Sequence, residues 1–405
     1  MNNIALETAM NGLALEATMN VLALGTAINV LALGTAVNEL AFDTEMNDIA
    51  LETAMNGLAL ETEWSSIEEI DTRRYSMEHA TQNLGEEVAR AYERIRTRIW
   101  KTPLMFSSYL SVEDSTQVYL KLDSEQITGS FKVRGAFNKI LTLKKTSPEV
   151  LTRGFTTAST GNHGLACLYA CGSCGCALEI FCREGVCPSK LAALQSLGAT
   201  VTLYGQDCVD AEIRARHTAE STGRTYISPY NDVDVMAGNG TVGYEIYEDL
   251  PEVDYVLVAV GGGGFIGGAA AYLKHRNPNI QVIGCQPRNS KVMYESVKAG
   301  HIVHEPSLDT LSDGTSGDVE DKAVTFPVCA RYVDDWILVG EQEISDAVYH
   351  ILNTHHKIIE GSAGVTVAAY LANKDRFKGS KVVLVLCGAN IATDTLRNIL
   401  DQHKT

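Results

Sequence analysis

Between Tyr255 and Arg276 an apolar run of strand length, YVLVAV, stops at four consecutive glycines, Gly261 to Gly264, and a run of helix length, FIGGAAAYLKHR, begins at once. A strand apolar at every position is covered on both faces, and that happens when parallel strands alternate with helices. The same alternation runs through much of the chain. VYLKL (118–122) reads as a strand and Gly135 to Leu143 as a helix. Phe155 to Ala158 is a strand that enters STGNHG, followed by a helical LACLYAC. ALEIFC, a helix opened by Pro188, the strand ATVTLYG and the run RTYISPY come next. They lead to a helix through Gly240 to Tyr247 and, beyond the glycines, to strand QVIGCQP. After an irregular stretch come helices at Glu341 to Thr354 and Gly364 to Asn373, strand KVVLVLC and a last short helix. An amphipathic helix with Val88, Ala91, Ile95 and Ile99 on one face is expected over Asn83 to Trp100, ended by Pro103. This is an α/β pattern of doubly wound open sheets.

The first 64 residues do not share it. Asn2, Asn11, Asn20, Asn29, Asn38, Asn47 and Asn56 each open a nonapeptide close to N-x-L-A-L-E-T-A-M. Nine residues turn a helix by about 900°, so successive copies face opposite sides and build no continuous apolar stripe. In a strand the odd period swaps faces with every copy. Residues 1–64 are therefore expected to be a disordered or weakly helical appendage, and the polar 65–82 a linker. The remaining chain is expected to divide into a large domain, 83–153 with 226–405, and a small one, 154–225.

The formal net charge is −17. Such a surface repels phosphate backbones and anionic lipid, which argues against nucleic-acid and membrane partners. No apolar run is long enough to cross a bilayer. Several of the ten cysteines cluster between Cys167 and Cys208. Cys171, Cys174 and Cys176 lack a second Cys/His pair at zinc-like spacing, so no metal is expected and reduced thiols in the cytoplasm are the default.

Four separated stretches suggest one site. Lys132 stands among Phe131, Val133 and small residues at a helix start, where lost solvation makes an amine nucleophilic. Gly261 to Gly264 before a helix let backbone N–H groups approach a phosphate. Ser159, Thr160, Gly161, Asn162 and His163 crowd another helix start, a place for a carboxylate. Cys387 ends a buried strand at the sheet edge where ligands bind. An amine, a phosphate cradle and a carboxylate nest together describe pyridoxal phosphate and an amino acid.

With these motifs in this order, from about Asn83 to Leu400, the sequence resembles the fold-type II pyridoxal-phosphate enzymes, in the threonine/serine dehydratase and serine racemase family. The resemblance implies the tryptophan synthase beta-like arrangement of two doubly wound open-sheet domains, and a homodimer. It implies that Lys132 joins the cofactor's aldehyde, with Phe131 packed on the ring. Gly261, Gly262, Gly263 and Gly264, with Phe265, would hold the phosphate. Asn162 would bond the ring hydroxyl and Cys387 would stand at the ring nitrogen, where many relatives have serine. Ser159, Thr160, Gly161, Asn162 and His163 would take the substrate carboxylate, while Ser312-Asp313-Gly314 and Glu360 match segments that line the site.

The implied chemistry is α,β-elimination of water from L-threonine or L-serine. Lys132 removes the Cα proton, the hydroxyl leaves with help from the phosphate, and the product hydrolyses to a 2-oxo acid and ammonia. A thiol at the ring nitrogen is a weak donor and favours prompt loss of a β-substituent. Racemisation needs a second acid/base, at Thr160, whose branched side chain is stiffer than serine. A 3-hydroxyaspartate dehydratase needs a cation for the second carboxylate, for which Arg134 and Lys190 are candidates. A catalytically silent amino-acid-binding protein is the remaining alternative. Gln286 stands where relatives with a divalent-cation site have a carboxylate, so no activating magnesium is expected there.

Overall fold

Ten strands lie among the described residues: β1 Leu104–Phe106, β2 Gln117–Lys121, β3 Phe155–Ala158, β4 Leu178–Cys182, β5 Thr200–Leu203, β6 Thr225–Tyr226, β7 Tyr255–Ala259, β8 Gln281–Pro287, β9 Asp335–Val339 and β10 Lys381–Val385. The computed structural model describes residues 81, 83–111, 115–186, 188–206 and 208–404. The expectations for the nonapeptide array and nearly all of the linker lie outside the described residues.

The strands form two sheets, one of six in the order β1-β2-β10-β7-β8-β9 and one of four in the order β5-β4-β3-β6. Every pairing is parallel except β1 with β2. The antiparallel edge departs from the all-parallel reading, and its three residues escaped notice because they are too few to show a period. In the larger sheet Val256, Leu257 and Val258 of β7 lie beside Val382 to Val385 of β10, all buried. The helix Gly264–Arg276 buries every residue from Gly264 to Leu273. These are the positions at which the sequence is apolar without alternation.

Several boundaries move. The helix expected over Asn83 to Trp100 is Leu84–Ile95, not reaching Trp100, although Ile99 is still buried. The helix expected across Gly240 is two, Val233–Asn239 and Thr241–Asp249. Gly240 lies between them, where a Cβ would come within 2.6 Å of the Gly268 backbone, so this segment and the helix carrying Gly268 pass closely there. The helix Cys208–Thr222 was not anticipated. Its buried stripe is Ala211, Ala215 and Ala219, spaced by one helical repeat but too small to stand out as apolar. The stretch read as irregular holds helices Val292–Ala299 and Thr325–Tyr332 and strand β9.

The helix Lys132–Thr146 is fastened to the larger sheet by charge. Arg134, Lys121, Asp123 and Glu245 all have no measurable exposure. Arg134 donates to both Asp123 oxygens at 2.8 Å and to Glu245 at 2.7 and 2.9 Å. Lys121 donates to Glu245 and to the Thr102 carbonyl, each at 2.6 Å. Two cations and two carboxylates cancel, which is how such groups survive without water. Burial pulls Lys121 below the ordinary lysine range against the attraction of Glu245. Burial also acts to raise Glu245, but the Arg134 and Lys121 charges hold it below the usual carboxylate range.

Replacing one member strands the others. Arg134→Ala should lower unfolding free energy by about 3–5 kcal/mol, read as a lower denaturant midpoint. Substitution of an exposed cation such as Arg397, paired with Asp394 on the surface, should change it by less than about 1 kcal/mol.

Candidate active site

The carboxyl ends of β2, β3, β7 and β10 deliver their loops to one cavity of about 400 Å³. Lys132, Ser159 to His163, Gly261 to Gly264, Gly314, Glu360 and Cys387 all border it, with Phe131 and Phe265. The residues singled out for the cofactor and for the substrate carboxylate thus meet in one place, whereas Ser312 is not among the lining residues.

Lys132 is the first residue of its helix, and no side chain caps that end. Its Nζ donates to the Pro229 carbonyl at 2.9 Å. Burial pulls its pKa down to about 8, against the Cys167, Cys387 and Glu360 side chains. The positive end of its own helix acts in the same direction as burial. Phe131 stacks on Phe265, ring centroids 3.7 Å apart and planes 17° apart. The two rings make one apolar wall beside the amine.

The glycine loop lies between Tyr230 and Thr315. A Cβ on Gly262 would collide with the Tyr230 ring, and one on Gly261 would be 3.0 Å from the Thr315 backbone. Gly263 has φ +82°, which glycine adopts freely. The loop opens the helix Gly264–Arg276, whose first turn holds no acidic residue. The arrangement suits a phosphate by chemistry and by space.

The helix Asn162–Cys174 opens at the second nest. Ser159 Oγ accepts from the Gly161 N–H at 3.2 Å, and a Cβ on Gly161 would meet nothing within 4 Å. Asn162 Nδ2 donates to Glu360, 3.0 Å from each oxygen, and its Oδ1 accepts from Asn390 Nδ2 at 2.6 Å. His163 borders the cavity, yet its ring turns inward and Nε2 donates to the Ile227 carbonyl at 3.1 Å. Burial and then the Lys132 charge push it down to about 3, so the ring stays neutral and braces the turn. Its backbone is what remains for an anion.

Cys387 is buried, and burial lifts its thiol well above the ordinary range. Glu360 is also buried. Burial pushes its carboxyl up to about 7, with Asp313 adding to the rise. Arg134 is not at the cavity, because the ionic network behind the helix holds it. The side chain of Lys190 lies outside the described residues. Among the described residues that line the cavity, Lys132 is the one lysine or arginine. Gln286 is buried, its amide donating to the Val260 carbonyl at 3.1 Å and accepting from the Tyr294 N–H at 2.8 Å.

Tyr230, Asn390 and residues 315–318 border the cavity and were not singled out in the sequence. Tyr230 ends the run RTYISPY, where a turn signal, Ser-Pro, was visible but not its destination. Asn390 follows Cys387 closely, and an amide two residues beyond a strand-end glycine was the signal available.

Comparisons with known proteins identify the family. Residues 95–388 match the family described as pyridoxal-phosphate dependent enzymes. The chain is 38% identical over 321 residues to the L-threonine ammonia-lyase of Thermotoga maritima, covering 78% of each protein. It is 36% identical over 319 residues to the catabolic L-threonine dehydratase of Escherichia coli, covering 77% of this chain and 95% of that one. Among solved structures, processed threonine deaminase isoform 2 of Solanum lycopersicum aligns with a TM-score of 0.74 at 30% identity, covering 79% of this chain and 88% of that one. Serine racemase of Dictyostelium discoideum aligns with a TM-score of 0.71 at 32% identity, covering 76% and 98%. The amine at Lys132, the glycine cradle and the two helix starts have the donors that such a cofactor requires, and the chain belongs to the pyridoxal-phosphate dependent enzymes.

Proposed function

We propose that this protein is a threonine/serine ammonia-lyase that eliminates water from a β-hydroxy amino acid and yields a 2-oxo acid and ammonia. The observation that carries the reading is the convergence of Lys132, the Ser159–Asn162 nest and the glycine cradle on one cavity. The names of the relatives support it. Bound there, pyridoxal phosphate supplies the electron sink that lets the Cα–H bond break. The chain's own groups do the rest. Gly261 to Gly264 and Phe265 hold the phosphate end, and Phe131 flanks the ring. The Ser159–Asn162 turn, with the backbone of His163, orients the substrate carboxylate. Lys132 Nζ, lowered by burial, accepts the Cα proton. Asn162 stands for the ring hydroxyl, Cys387 for the ring nitrogen, with Gly314 and Glu360 completing the wall. A buried neutral thiol does not hold a proton on that nitrogen, which favours rapid loss of the β-hydroxyl.

The division into a large domain, 83–153 with 226–405, and a small domain, 154–225, belongs to the same reading, as do a cytoplasmic location and a homodimer. Racemisation is the second reading, because Thr160 brings a hydroxyl to the cavity and a serine racemase shares the fold. A dicarboxylate such as 3-hydroxyaspartate fits poorly, since Arg134 is held elsewhere and acidic Asp313 and Asp318 border the cavity.

Assaying 2-oxobutyrate and D-amino acid in one reaction with L-threonine separates the readings. Oxo acid as the main product is expected, and D-product in excess would move the protein to the racemases. Lys132→Ala should cut turnover by about 10²–10⁴-fold without loss of folding, measured by turnover and circular dichroism. Gly262→Ala forces the Tyr230 ring to shift, and it should weaken cofactor binding about tenfold or more, measured by titrating the cofactor-free protein with pyridoxal phosphate.

A further inference from the structure

Two residues beyond β10, Cys387 and Gly388, hold two other segments together. The Phe131 N–H donates to the Cys387 carbonyl at 3.0 Å, and Ser130 pairs with Gly388 as an antiparallel bridge. On the other side the Glu360 N–H donates to the Gly388 carbonyl at 3.0 Å. Lys132 and Glu360 therefore ride on segments fixed to the same two residues, and both border the cavity. Gly388 is what lets the carboxylate in: a Cβ there would lie 2.5 Å from Glu360 Oε1. A chain of amides then fixes the carboxylate. Asn162 Nδ2 reaches both of its oxygens, Asn390 Nδ2 donates to Asn162 Oδ1, and the same Asn390 Nδ2 donates to the Thr128 carbonyl at 3.0 Å.

We propose that Glu360 is a positioning residue that raises the basicity of Lys132 against the effect of burial, its carboxylate stabilising the ammonium form across the cavity and losing that effect when it takes up a proton. This rests on the cofactor reading above. The charged and titratable neighbours single Glu360 out. Facing Lys132 are Cys167, Cys387, His163 and Glu360. Burial pushes Cys167 up to about 12 and Cys387 well above the ordinary thiol range, and it holds His163 at about 3, so these three stay neutral near pH 7–8. Facing Glu360 are Asp313, Cys387 and Lys132. Asp313 raises the Glu360 carboxyl, and Lys132 lowers it. Burial raises Glu360 to about 7 and lowers Lys132 to about 8, and the opposite charges each favour the other's ionised form.

The test reads the free amine directly. In the full-length chain stripped of cofactor, the Lys132 nitrogen adds to the aldehyde carbon of added pyridoxal phosphate and water leaves, a step that only the unprotonated amine performs. The rate of this capture, followed by visible absorbance, is measured against pH. Removing the carboxylate removes a force that favours the ammonium form. Glu360→Gln, which keeps an oxygen for Asn162, should therefore move the midpoint down by about 1 pH unit. Glu360→Asp should keep the midpoint near that of the unaltered chain. A midpoint unmoved or raised in Glu360→Gln would overturn the proposal, and so would an Asp variant that behaves as the Gln variant does. The unaltered chain gives an independent measurement: two interacting groups spread the curve beyond a single titration, and a single-proton curve would overturn the coupling. A chain that captures no cofactor would overturn this proposal and the cofactor reading together, whereas normal capture with an unmoved midpoint would overturn this proposal alone.

Discussion

The guanidinium of Arg134, sealed between Asp123 and Glu245, is the constraint on which the rest of the structure depends. Arg134 stands two residues after Lys132 and so fixes where the helix begins. Asp123 follows β2, and Glu245 lies on the helix Thr241–Asp249, so one cation joins a segment 11 residues before it to a helix 111 residues after it. Apolar packing alone has no direction, and a helix lying on a sheet by apolar contact can slide. Charge-assisted hydrogen bonds to two carboxylates define one register. The need for balance explains why Lys121 is there too: with two buried carboxylates, one guanidinium would leave a net charge. The network stands behind the reactive amine and does not share its cavity, so the lysine that must change its proton is held by an arginine that never does.

Around the amine the electrostatic pattern is the reverse. Charges behind the helix are paired and locked, whereas those at the cavity are few and poised. Burial lowers one amine and raises one carboxyl, and the thiols and the imidazole are held neutral. In the proposed reading, backbone N–H groups at two helix starts take the anions. Such donors do not titrate, which leaves the proton chemistry to a small number of side chains.

Much of this was legible in the sequence, for identifiable reasons. The glycine run, the lysine segment, the STGNHG turn and the strand ending at Cys387 each announce themselves by local composition, and each follows a strand. Residues whose meaning is purely tertiary did not announce themselves. Arg134 looked like a candidate cation for substrate, because nothing in its neighbourhood reveals that Asp123 and Glu245 will surround it. His163 sits within a motif, yet its ring serves Ile227. Tyr230 could not be seen against Gly262, since 32 residues separate them and contact is decided by the crossing of loops. The helix Cys208–Thr222 was hidden because its buried face is alanine, and the three-residue β1 because it is shorter than any period.

The position of β10 also dictates the order in which the molecule can be assembled. This strand is among the last elements of the chain, yet it lies inside the larger sheet, hydrogen-bonded to β2 on one side and β7 on the other. Until residues 381–385 leave the ribosome, β2 and β7 have a vacant row between them and the larger sheet stays open. Contacts between residues more than 250 positions apart must then close it, a slow step that leaves strand edges exposed in the nascent chain. Cys387 and Gly388, which bring the lysine segment to Glu360, arrive with the same strand. A chain cut short before residue 381 would therefore lack the sheet's keystone as well as one wall of its cavity, and no partly made chain holds the complete site.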